Sequence, residues 1–146
     1  MRIKLSIEYD GSEYVGWQRQ KNGQSIQEEI EKSLKKLFKM KIQIFVAGRT
    51  DAGVHAKKQV AHFDIESKIT PDKIKTALNF YLKESFNKIS IVDSVEVEKY
   101  FHSRFSAKEK VYSYLNNATY LVQTSEFEVY PTVVLESLSC GTPVIT

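Results

Sequence analysis

The chain has 146 residues with 42% hydrophobic and 12% aromatic content, enough for one ordinary core and too apolar for a disordered polymer. Its formal net charge is +3, yet residues 118–146 hold no Lys or Arg and three acids, Glu126, Glu128 and Glu136, so the part before them carries +6. No stretch approaches the roughly 20 apolar residues of a membrane span, Arg2 to Glu8 alternate charge with apolar residues unlike a secretion signal, and the single Cys140 excludes an internal disulfide; together these predict a cytoplasmic protein.

In chain order, Ile3, Leu5, Ile7 and Tyr9 alternate with Arg2, Lys4, Ser6 and Glu8, the period of a strand with one buried face. Asp10-Gly11-Ser12 ends it. A loop-like stretch, Tyr14-Val15-Gly16-Trp17-Gln18-Arg19-Gln20, leads to Ser25-Ile26-Gln27-Glu28, which has the spacing of a capping box. The helix that follows buries Ile26, Ile30, Leu34, Leu37 and Phe38, with acids early and bases late as the helix dipole prefers. The run at 41–47 reads as a buried strand and Lys58–Ile65 as the strand returning beside it. Thr70 and Pro71 start a second helix with Thr70 as its N-cap, and Ile74, Ala77, Leu78, Tyr81 and Leu82 form its buried stripe. Residues 89–92 and 95–97 are strand-like. This order, β-α-β-β-α-β, predicts an α+β fold of ferredoxin-like type.

Between the second and third strands lies Gly48-Arg49-Thr50-Asp51-Ala52-Gly53-Val54-His55-Ala56, a cation, a hydroxyl, a carboxylate and an imidazole set among small residues. The segment is suited to close approach, because its glycines permit unusual backbone and its alanines leave room. An aspartate here can simply bond its own turn. Alternatively, Arg49 two residues away favours the ionised form, which suits nucleophilic or general-base work. His55, His62 and His102 match no zinc spacing and have no cysteine nearby, so no metal is expected; histidines beside apolar strands usually pack or hydrogen-bond. Phe101, Phe105, Tyr112 and Tyr114 are core residues or stacking partners for a base. The +6 segment fits a polyanion such as RNA or, equally, a solvated surface.

Four stretches in order resemble signatures of the tRNA pseudouridine synthase A family: Tyr9–Gln20, Gly48–Ala56, Gln59–Phe63 and Phe101–Ala107. The resemblance covers residues 1–115. It implies isomerisation of uridine to pseudouridine at about positions 38 to 40 of the tRNA anticodon arm, on a base that must leave the stack to be reached. No metal or cofactor is implied. Asp51 matches the catalytic nucleophile, and Arg49 the arginine that holds the flipped-out state and pairs with the carboxylate. Tyr112 matches the tyrosine that stacks on the target base, with Arg104 and His102 beside it as substrate-binding residues. Attack on the base and attack on the sugar both remain open. Lys110 and Ser103 stand where the family usually has Arg and Ala. The resemblance further implies a homodimer that holds tRNA across both subunits.

Family members carry a second, similar half that completes the cleft, and this sequence does not contain it; an impaired synthase is therefore expected. The composition shift places a boundary near Asn116-Asn117, giving a pseudouridine synthase domain at 1–117 and a foreign segment at 118–146. That segment resembles a strand, loop, helix and strand of family 4 glycosyltransferases, with Glu128 and Glu136 as their paired glutamates and Gly141 ending the helix. Twenty-nine residues are too few for such an enzyme to fold, and the apolar end at Thr146 suggests truncation. The alternatives to a working synthase are a noncatalytic tRNA-binding module and a remnant of sugar-transfer machinery.

Overall fold

The computed structural model describes residues 1–106 and, beyond them, 117–118, 121–122, 138 and 143–145. The chain divides into two compact units, Met1–Arg104 and Phe105–Thr146. In the first, β1 (Arg2–Tyr9), α1 (Ile26–Phe38), β2 (Phe45–Val46), β3 (Ala56–Asp64), α2 (Pro71–Glu84) and β4 (Ile89–Val97) follow one another. The sheet order is β2-β3-β1-β4 and every pairing is antiparallel. This is the α+β, ferredoxin-like arrangement that the order of elements predicts. The second unit contributes β5 (Leu121–Val122) and β6 (Val144–Ile145), paired parallel. They are the two ends of the expected strand-helix-strand pattern, whose middle lies outside the described residues. The composition shift at 116–117 falls within this second unit.

Alternation along β1 decides where the core lies. Ile3, Leu5 and Ile7 are fully buried and pair across to Phe63, Ala61 and Gln59 on β3. Both helices close over this face with Ile26, Ile30 and Leu34 from α1 and Ile74, Leu78 and Leu82 from α2, all in one apolar cluster. Each such side chain contributes about 1.5–3 kcal/mol on burial. The alternate residues, Lys4 on β1 and His62 on β3, pair with one another and face the other way.

Three local expectations change. The run at 41–47 is buried at Ile42 and Ile44, but only Phe45 and Val46 pair with β3. The reason is a competing acceptor: the Ile44 N–H donates to the Glu31 carboxylate at 3.2 Å. The strand pieces at 89–92 and 95–97 are one strand with a bulge, because Ile7 pairs with Ile91 and Ser6 with Asp93, leaving Val92 over. Thr70 stands at the N-cap of α2 without a side-chain capping bond; Pro71 in the first turn starts that helix instead.

Candidate active site

The start of α1 shows how the first signature becomes a support. The opening N–H groups of a helix lack intrahelical partners. Here Gly16 C=O accepts from Ile26 N–H at 3.2 Å and Trp17 C=O from Gln27 N–H at 3.0 Å. Ser25 Oγ accepts from Glu28 N–H at 3.3 Å, as the capping-box spacing predicts. Arg19 joins the same helix by an ion pair to Glu31 at 2.7 Å. The loop of the first signature is therefore fastened to a helix end.

On its other side the same stretch carries the Gly48–Ala56 loop. Trp17 N–H donates to Thr50 C=O at 2.9 Å and Gly53 N–H to Tyr14 C=O at 3.3 Å. The hydroxyls of Tyr9 and Thr50 are 2.8 Å apart. Gly11 N–H donates to His55 Nδ1 at 3.3 Å, and that nitrogen is 3.1 Å from Asp10 Oδ1. The Ser12 hydroxyl and N–H, aided by Lys88 and His55, hold the Asp10 carboxyl below the usual carboxylate range. Backbone approaches backbone so closely that glycine is required twice. A Cβ on Gly11 would lie 2.0 Å from Val54 O, and one on Gly16, whose φ is +105°, would lie 2.6 Å from Thr50 O.

The result is a loop fixed through its main chain and through the Thr50 and His55 side chains, with Arg49 and Asp51 left open. Asp51 is exposed, and its carboxylate makes no hydrogen bond or ion pair with any described residue. Arg49 is exposed on the same loop. The pairing of Arg49 with Asp51 that the resemblance implies is not formed: no ion pair joins them among the described residues. Both charges project from a turn whose geometry is set by Tyr9, Trp17 and Gly16.

The third and fourth signatures meet on the sheet face opposite the helices. Arg2 donates to the carbonyls of Lys99 and Phe101, each at 2.6 Å, and pairs with Asp64 at 2.7 Å, tying the 98–104 segment across β1. His62 is 1% exposed, with its Nδ1 3.2 Å from the Ser103 N–H. Ser103 Oγ is 2.9 Å from the same nitrogen and 2.9 Å from Phe45 O. Phe45 stacks on His62 at 5.3 Å, and Phe101 and His102 meet its ring edge-on at 5.9 and 4.7 Å. Burial, reinforced by His102 and Arg2 and opposed by Asp64, pushes the His62 imidazole down to about 4. His62 is thus a packing histidine, as its place beside an apolar strand suggests.

Of the residues expected to touch substrate, His102 is half-buried against His62 and takes Arg104 N–H at its Nδ1 (3.2 Å), whereas Arg104 is exposed. Phe101 is half-buried with Lys4 Nζ 6.0 Å from its ring centre, and Phe105 is 57% exposed. Tyr112 and Tyr114 lie outside the described residues. Tyr9 and Trp17 are supports of the loop that residue type alone does not mark. The signal was the pair Gly11 and Gly16 flanking an aromatic stretch, which marks close backbone approach but not what approaches. Among the described residues no three His, Cys, Asp or Glu side chains group as metal ligands, and no helix is long and apolar enough to cross a membrane.

Comparison with known proteins defines the class of this fold and site. A family model described as tRNA pseudouridine synthase matches residues 5–106, and the chain belongs to that family. It is similar to the tRNA pseudouridine synthase A of Parvibaculum lavamentivorans, 47% identical over 113 residues, which are 77% of this chain and 45% of that protein. The same-named protein of Anaplasma phagocytophilum is 47% identical over 116 residues (78% and 46%) and that of Ruminiclostridium cellulolyticum 49% over 114 (78% and 45%). The chain thus spans about half the length of the curated relatives it matches. The glycosyltransferase likeness of 118–146 finds no support in these comparisons, and Glu128 and Glu136 lie outside the described residues.

Proposed function

We propose that this chain carries the nucleophile-bearing part of a tRNA pseudouridine synthase A, acting on uridines of the anticodon arm, with Asp51 as the nucleophile. The observation that carries the reading is the Gly48–Ala56 loop: its main chain is held by Trp17 and Tyr14 and its Thr50 hydroxyl by Tyr9, while the exposed Asp51 carboxylate has no partner among the described residues. A carboxylate so held is available to a substrate and keeps its position without using its own oxygens. The uridine isomerisation breaks the N1–C1′ bond and forms a C5–C1′ bond; the C5 proton leaves and N1 gains one. Arg49, exposed on the same loop, helps hold the flipped-out state in this reading. Arg104, His102 and Tyr112 complete the substrate contacts in this reading, and Tyr112 stacks on the base. A cytoplasmic location and, from the family resemblance, a homodimer belong to the same reading.

The test is release of tritium from tRNA labelled at uridine C5, comparing this chain with Asp51→Ala. Release by the wild-type chain that Asp51→Ala abolishes supports the reading. Equal release, or none from either, rejects a working synthase in this chain.

A further inference from the structure

Thr50, the residue immediately before Asp51, is held at two points by two different elements. Its carbonyl takes the Trp17 N–H at 2.9 Å, and its hydroxyl bonds the Tyr9 hydroxyl at 2.8 Å. Neither support is loose. Tyr9 ends β1, which lies between β3 and β4 in the sheet, and its ring is 3% exposed against Trp17 with centroids 6.0 Å apart. Trp17 is 1% exposed, and next to it a Cβ on Gly16 would lie 2.6 Å from Thr50 O and 3.1 and 3.3 Å from the Asp51 and Ala52 backbone.

Asp51 has no such help of its own. With its carboxylate unpartnered among the described residues, its position follows from the main chain that precedes it. A displacement of about 1 Å at a reacting group costs on the order of a hundredfold in rate. We infer that Tyr9 and Thr50 are positioning residues: the bond between their hydroxyls connects the buried end of β1 to the backbone that presents Asp51. This rests on the reading of Asp51 as nucleophile. The bond needs both groups, and removing either hydroxyl leaves the other without its partner.

Three variants separate this role from general packing. Tyr9→Phe keeps the buried ring, Thr50→Val keeps the volume of the side chain, and Thr50→Ser keeps the hydroxyl. Amide hydrogen exchange of the peptide covering 48–56 is measured on this chain, together with kcat and KM for tritium release. The expected result is exchange faster by about tenfold or more in Tyr9→Phe and Thr50→Val, with kcat lower by about 10- to 100-fold, KM unchanged, and both values restored in Thr50→Ser. Unchanged exchange in both hydroxyl-deleting variants overturns the inference whether or not the chain turns over. Faster exchange with unaltered kcat also overturns it, since the bond would then serve stability alone. A wild-type chain that releases no tritium rejects the proposed function; the exchange comparison then still decides whether the hydroxyl pair fixes the loop.

Discussion

Two regions of the first unit use the same chemical groups in opposite ways. The Gly48–Ala56 loop and the face where β3 meets the 98–104 segment each bring an imidazole and a hydroxyl together. In the loop the anchors are main-chain bonds from Trp17 and Gly53 together with the Thr50 hydroxyl and the His55 imidazole, and the side chains of Arg49 and Asp51 are left exposed. Across the sheet face, Ser103 and His62 turn inward, satisfy one another, and are almost wholly buried. The difference teaches that a polar motif serves chemistry when the backbone bears the structural work, and serves packing when its own polar atoms are consumed by neighbours.

The largest expected effect breaks the loop's side of this comparison. Gly11→Ala and Gly16→Ala would drive a methyl into the Val54 and Thr50 carbonyls. Each is expected to destabilise the fold by at least about 3 kcal/mol, from backbone strain and forced displacement, measured by urea unfolding. Loop exchange should rise in both.

A smaller effect belongs to the buried face and depends on pH. The folded His62 titrates at about 4 against 6.5 for the free imidazole. The unfolded chain therefore binds the extra proton between those values. Stability is full above pH 6.5, falls as pH drops toward 4, and levels off below it. The loss is at most about 3 kcal/mol, and His62→Gln should remove that part of the slope. Smaller again is Ser103→Ala, which deprives His62 and the Phe45 carbonyl of the hydroxyl. It should cost about 1–3 kcal/mol and leave exchange in the 48–56 loop unchanged. A change there would join two regions that the comparison keeps apart.

Much of the fold was legible because local signals agreed with it. The alternation of β1 and the cap at Ser25 both follow from short-range pattern, and the structure keeps them. The shortening of β2 was not legible, since only the fold brings Glu31 to the Ile44 N–H. Nor was the bulge at Val92, which needs the register of β1 to be seen. For the site, the chemistry of Gly48–Ala56 was readable from residue types alone. Its support was not: Tyr9 and Thr50 stand 41 residues apart, and no periodicity links them. The burial of His62 and the half-burial of His102 likewise depend on the 98–104 segment crossing the sheet.

In the proposed function the Asp51 carboxylate is the reacting group, on a loop whose geometry other residues set. Asp51→Asn preserves shape and exposure and removes only the charge, so it isolates that claim. With chain in excess over C5-tritiated anticodon-arm RNA, and thermal midpoints matched, single-turnover tritium release should fall by at least about a thousandfold. Release by Asp51→Asn within about tenfold of the wild-type chain would contradict the assignment, because a neutral amide cannot act as that nucleophile.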